Sequence, residues 1–223
     1  MIHILTNGQK NILERLPVSL KDNFVFSGGT ALAAFYLGHR LSDDLDFFGK
    51  VMEQDIYISE IKGILKKHNF DIDSVNKIYD RCIFSVRIEN EQIKLEFVPL
   101  YFKRLQHPIY NDGFNIHIES LKDLTTNKII AMADRFEIKD YVDIFYIAQQ
   151  TNWRFVEMIN LAQQKLNMPY AYTIDLSRIT SNKKLFNSIQ FSTKVDPEQI
   201  IDFFHQSNKE IQKMLLQDFD PLL

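Results

Sequence analysis

Phe24-Val25-Phe26-Ser27-Gly28-Gly29-Thr30 runs through Ala31-Leu32-Ala33-Ala34-Phe35-Tyr36-Leu37 into Gly38-His39-Arg40-Leu41-Ser42-Asp43-Asp44-Leu45-Asp46-Phe47-Phe48. The short apolar run 24–27 reads as a buried strand, and Gly28-Gly29 turns the chain. The Ala- and Leu-rich segment from Thr30 to Leu37 reads as a helix. Asp44 to Phe48 alternates polar and apolar, as a half-buried strand does. Gly28, Gly29, Gly38 and Gly49 are four of only seven glycines in 223 residues, so the chain concentrates its backbone freedom in this window.

Outward from that stretch, the first half mixes helix and strand. Asn7 to Leu20 has helical apolar spacing interrupted by Pro17, and Asp55 to His68 reads as an amphipathic helix. Cys82, Phe84, Val86 and Ile88 alternate with more polar neighbours. A second alternating run from Ile93 to Val98 follows Asn90-Glu91, and the two predict an antiparallel hairpin. From Ser120 onward the pattern is helical: Ser120 to Arg135, Lys139 to Gln150, Asn152 to Leu166, and further segments to Leu216. These patterns predict an α+β chain with a boundary near Glu119. A small mixed-sheet domain, 1–118, precedes a helical domain, 119–223.

Composition narrows the class. Hydrophobic residues make up 45% of the chain and 18 residues are Phe, enough for a sizeable core without staples. Cys82 is the single cysteine, so no intrachain disulfide and no Cys-rich zinc module can form. The start lacks a signal-peptide pattern and no apolar run reaches the ~18 residues of a membrane span, so a cytoplasmic location away from membranes is expected. A net charge of −3 predicts no general coating of nucleic acid. Any anionic ligand must be held locally. A basic run, Lys62, Lys66, Lys67 and His68, reads first as a solvated helix face.

The chemistry is carried by the central window. A strand that ends in two glycines and opens a helix lets backbone N–H groups approach a phosphate chain, and Thr30 adds a hydroxyl. Asp44 and Asp46, at i and i+2, leave one face of a strand with Cα atoms about 7 Å apart. That separation suits joint ligation of two Mg²⁺ ions, hard cations that prefer oxygen and drive in-line phosphoryl or nucleotidyl displacement.

The pattern Gly28-Gly29-Thr30, a helix, then His39-Arg40-Leu41-Ser42-Asp43-Asp44-Leu45-Asp46-Phe47-Phe48 resembles the AbiEii/AbiGii-type nucleotidyltransferase toxins, within the polymerase-beta-like minimal nucleotidyltransferase superfamily. The likeness resumes at Lys94-Leu95-Glu96-Phe97, at Lys128, and at Arg135-Phe136-Glu137-Ile138-Lys139-Asp140-Tyr141-Val142-Asp143. The resemblance implies an α+β fold in which a small mixed-sheet nucleotidyltransferase domain with flanking helices is followed by a helical domain. It implies that Asp44 and Asp46 hold the metals and that Glu96 is the third catalytic carboxylate. At that position the superfamily usually carries aspartate, one methylene shorter. It further implies nucleotide binding by Gly28, Gly29, Thr30, Arg40, Ser42, Lys128, Asp140 and Asp143. The implied reaction moves an NMP from an NTP, with Mg²⁺, to an RNA end, a protein or a small molecule. A neutralising antitoxin is the implied protein partner.

Blander readings stand beside these. A Gly-Gly turn can be plain chain reversal, Arg40 can form a surface pair with Asp43 or Asp44, and Lys139 with Asp143 can be an ordinary i,i+4 pair. Asp140 and Asp143, at i,i+3, share a helix face from which they could orient Lys128 or the nucleotide. His39 reads as structural. A regulatory nucleotide- or metal-binding module of the same fold and an antibiotic-type small-molecule nucleotidyltransferase are the alternative functions. An EF-hand is excluded because Phe48 brings no side-chain oxygen to the fifth position and Asp55 stands where the closing glutamate belongs. The chain lacks GxxxxGK[ST], GxSxG and an Asp-Phe-Gly, so P-loop, hydrolase and kinase readings have no anchor.

Overall fold

A computed structural model describes residues 4–50, 54–167, 174, 176, 179 and 183–218. Much of the stretch 168–182, where helical segments are expected, lies outside the described residues. The chain divides into two compact units, Met1–Leu124 and Thr125–Leu223.

The first unit carries a seven-stranded mixed sheet in the order β3-β4-β5-β2-β1-β7-β6. Helices α1 (Asn7–Arg15) and α2 (Val18–Asn23) precede β1 (Phe24–Ser27). Pro17 is the N-cap of α2, so the expected single helix is two, because proline cannot continue an α-helix at that point. Helix α3 (Gly28–Leu32) passes into a π-helical turn, Ala33–Leu37, which Gly38 ends at φ 65°. Then come β2 (Leu45–Gly49), α4 (Gln54–Lys67), β3 (Asp71–Ile78), β4 (Arg81–Ile88), β5 (Glu91–Pro99), β6 (Ile109–Asn111) and β7 (Ile116–Ile118).

Strand β2 pairs antiparallel with β1 and parallel with β5, and β4–β5 is the expected hairpin. Three strands were not expected from the sequence. Strand β3 lies at the sheet edge and is mostly exposed, so its polar sequence has no apolar alternation to betray it. Strands β6 and β7 have three residues each, too few to show a period.

The core of this unit lies on one face of the sheet. Phe26, Leu45, Phe47, Phe84, Leu95 and Phe97 meet Tyr57, Ile58, Ile61 and Leu65 of α4 and Ile12 and Leu13 of α1. Phe47 and Phe97 stack at 5.0 Å across the β2–β5 pair. Removing one such ring costs about 3–5 kcal/mol. This packing fixes the register, and a one-residue slip would turn every side chain to the other face.

The second unit is helical: α5 (Leu121–Asp134) runs into it, followed by α6 (Ile138–Thr151), α7 (Phe155–Leu166) and, after a 3₁₀ segment Lys183–Ser188, α8 (Pro197–Asp218). Its aromatic core joins Tyr141, Phe145, Phe155, Phe203 and Phe204 edge to face. Among the described residues no helix is long and apolar enough to cross a membrane.

Candidate active site

Core packing on one face of the sheet leaves the other face for chemistry. Leu45 and Phe47 point into the core, so Asp46 between them points away from it. The parallel register sets Asp46 beside Glu96, and the antiparallel one sets Ser27 on its other side. Asp44 lies one residue before β2, where the register continued backward brings it level with Lys94. Contacts agree: Lys94 Nζ is 3.0 Å from Asp44 Oδ2 and 3.3 Å from Glu96 Oε2. Arg81, from the start of β4, pairs with Glu96 Oε1. The Glu96 side chain is only 6% exposed, and a carboxylate that far from water needs such cations around it. Arg81 was not singled out by the sequence, because its place beside Glu96 comes from the hairpin register rather than from a motif.

The two glycines have distinct reasons to be glycine. Gly28 has φ +73°, and a Cβ there would sit 1.9 Å from Asp46 Oδ2. Any side chain would therefore displace the carboxylate. A Cβ on Gly29 would come within 2.5 Å of Arg40 Nη2 and 3.3 Å of Ser42 Oγ. Arg40 is buried, with its guanidinium against Gly29 and Nη1 donating to the Leu41 carbonyl at 3.0 Å. Thr30 is fully buried and its hydroxyl donates to the Asp44 carbonyl. The hydroxyl thus fixes the approach to β2 and does not reach toward a phosphate. His39 is buried, as a structural histidine would be.

Supports outside the motif hold this loop. Gln9, buried in α1, closes a capping box with Thr6 and donates from Nε2 to the carbonyls of Ser42 at 2.7 Å and Asp43 at 3.2 Å. Glu119, wholly buried just after β7, accepts from the Ser27 hydroxyl, and its backbone N–H donates to Phe26 at 2.9 Å. Tyr36 donates to the Glu119 carbonyl, and burial, with the Glu119 charge second, pushes its hydroxyl up to about 12. Arg104 donates to the Phe48 carbonyl at 2.8 Å. The capping signature Thr6-x-x-Gln9 is visible in the sequence, but the second use of Gln9 is not.

In the helical unit, Lys128 on α5 is met by Asp140 Oδ1 at 2.8 Å and Asp143 Oδ2 at 2.6 Å, both from α6. Arg135 approaches Asp140 Oδ2 at 3.3 Å. Both carboxylates are fully buried, so the contacts they display are those that orient Lys128. Lys62, Lys66 and Lys67 are exposed on α4.

Among the described residues no three His, Cys, Asp or Glu side chains gather closely enough to form a metal cage. The donor chemistry at Asp44 and Glu96 nonetheless fits a hard cation: both are carboxylates, and one cation, the Lys94 ammonium, already bridges them. Mg²⁺ sites commonly take one or two carboxylates and complete their shell with substrate phosphates.

A family model described as Nucleotidyl transferase AbiEii toxin, Type IV TA system, matches residues 11–219. The protein aq_aa25 of Aquifex aeolicus (strain VF5) is 28% identical over 214 residues, covering 92% of this chain and 97% of that one. Among solved structures, JHP933 from Helicobacter pylori superposes with a TM-score of 0.60 at 16% identity, over 96% of this chain and 97% of that one. An H. pylori protein assigned provisionally as a nucleotidyltransferase gives 0.59 at 16%, over 94% and 99%. At these identities the structural likeness concerns the fold.

Proposed function

We propose that this chain, which belongs to the AbiEii nucleotidyl transferase toxin family, moves an NMP from an NTP to the hydroxyl of an acceptor in a Mg²⁺-dependent reaction. The observation that carries the reading is the β2–β5 register, which sets Asp46 beside Glu96, with Lys94 between Asp44 and Glu96 and Gly28 against Asp46. Asp44 and Asp46 would hold the metal, with Glu96 offering it one further oxygen beside Asp44. When bound, the ion supplies Lewis-acid stabilisation of the charge that grows on the transferring phosphoryl oxygens.

The chain's own residues account for the remaining requirements. The backbone N–H groups of Gly28, Gly29 and Thr30 open α3 and would meet the β- and γ-phosphates, with Arg40 and Ser42 packed beneath them. In the helical unit Asp140 and Asp143 hold Lys128 in one place as that unit's own candidate nucleotide-binding cation. Glu96, with its two oxygens facing Arg81 and Lys94, positions the attacking hydroxyl. That oxygen gives up its proton to water and bonds to the α-phosphorus, the bond from the α-phosphorus to the bridging oxygen breaks, and pyrophosphate leaves. The acceptor is an RNA end, a protein or a small molecule, and the chain itself acts in the cytoplasm as the toxin of a bacterial toxin–antitoxin system, with an antitoxin as its partner.

The test incubates the full chain with each α-labelled NTP, Mg²⁺ and fractions of cellular RNA, protein and small molecules. Label should enter one fraction, and Asp46→Asn should reduce it by about 10³-fold, the scale of losing a principal electrostatic group. Absence of transfer to every fraction, or equal transfer by Asp46→Asn, would overturn the reading.

A further inference from the structure

Lys94 occupies a position that the proposed chemistry cannot leave as it is. It sits on the same face of β5 as Glu96, two residues away, and its ammonium lies between Asp44 Oδ2 and Glu96 Oε2 at 3.0 and 3.3 Å. Two carboxylates drawn this close repel, and Glu96 is largely removed from water, so an intervening positive charge is what makes the arrangement tolerable. A divalent cation bonding to those same oxygens would approach them at 2.0–2.1 Å if it is Mg²⁺. Ammonium and metal cannot both hold that place, since they would be like charges sharing the same ligands.

The ammonium has the means to leave. Lys94 is 39% exposed, whereas its partner Glu96 is 6% exposed. Its charge is a compact group on a flexible four-carbon stem, with no bidentate fork to lock it down. Arg81, on the other oxygen of Glu96, remains to neutralise that carboxylate. What a departing ammonium needs is another anion nearby. The phosphates of a bound triphosphate are such an anion.

We infer that Lys94 is an internal counter-cation that makes divalent-metal binding at Asp44 and Glu96 conditional on the arrival of a triphosphate. Metal alone must expel the ammonium into water. Metal arriving with a triphosphate exchanges one partner for another, and the preference is reciprocal because the two ligands share one linked equilibrium. Lys94 is on this account a positioning residue, neither a metal ligand nor a reacting group. The inference rests on the nucleotidyl-transfer reading of the same site.

The experiment reads metal binding without turnover. Mn²⁺ is titrated into the full-length, nucleotide-free protein and free Mn²⁺ is followed by electron paramagnetic resonance, for wild type and for Lys94→Met, which keeps the length and drops the charge. Lys94→Met should bind Mn²⁺ about tenfold more tightly, within the usual range of coupling between linked sites. It should bind the preformed Mn²⁺ complex of a non-hydrolysable α,β-methylene NTP no more tightly than wild type does. A merely structural lysine would not raise metal affinity when removed. Unchanged or weaker Mn²⁺ binding in a variant that melts like wild type would overturn the inference. Lys94→Gln is made in parallel, and failure of both variants to fold would also overturn it, since the ammonium would then be a fixture of the fold. If wild type transfers label while Lys94→Met shows no gain in metal affinity, the inference fails alone. If wild type transfers nothing, the functional reading fails, and the Mn²⁺ titration still decides whether Lys94 excludes a cation.

Discussion

Two clusters of opposite charge lie in this chain, and they are built differently. At the β2–β5 seam, Asp44, Glu96, Lys94 and Arg81 include three side chains between 36% and 47% exposed. In the helical unit, Lys128, Asp140 and Asp143 are 10%, 0% and 0% exposed. Charges near water exchange partners at little cost, whereas a buried charge that loses its partner is stranded. The first cluster is therefore suited to admit a ligand, and the second to hold one lysine in one place.

Asp143→Ala tests the buried cluster hardest. It should lower stability by about 3–5 kcal/mol in urea unfolding, since it leaves an inward-facing ammonium with half its compensation. A loss below 1 kcal/mol would equate the two clusters and break the comparison.

Alkaline titration sharpens the same contrast through uncharged buried groups. Burial raises Cys82 from 9.0 to about 11, and burial with the Glu119 charge raises Tyr36 from 10.0 to about 12. The unfolded chain releases these protons first, so the stability these two groups contribute is fully present below about pH 9 and is lost as pH rises toward 12. Urea midpoints measured from pH 8 to 11 should fall steadily, and Cys82→Ala should flatten the early part of that fall.

Gly28→Ala should cost about 1–2 kcal/mol, the price of a left-handed φ at a residue with a Cβ. It should also reduce label transfer by at least about tenfold, because the new methyl must push the Asp46 carboxylate aside. Equal activity in a folded Gly28→Ala would separate the glycine from the site. Asp44→Asn should have the smallest effect on stability, under about 1 kcal/mol, since its pair with Lys94 is open to water. Abolished transfer in a variant that melts almost like wild type would mark the seam as working rather than supporting surface.

Much of this was legible beforehand. The strand 24–27, the Gly-Gly turn, the acidic strand, the 81–98 hairpin and the helices of the second half all follow from period and breaker residues. Asp44, Asp46 and Glu96 are candidates from the sequence alone. Strand β3 was hidden because an exposed edge need not alternate, and the hydroxyl of Thr30 was read as a phosphate ligand when it is bonded to the Asp44 carbonyl. Gln9, Arg81, Arg104 and Glu119 were missed because each acts on a segment at least fifteen residues away.

The sequence by itself determined the local elements, the two faces of each strand and which residue types were available for chemistry, because these depend on periodicity and on backbone freedom within a few residues. Only the tertiary structure decided that β5 lies parallel against β2 with β3 and β4 passed over, which brings Lys94 to Asp44 across fifty residues of chain. That pairing is set by the packing of Phe47 on Phe97 beneath the sheet. Long-range register is a property of the packed core as a whole, and no short window of sequence contains it.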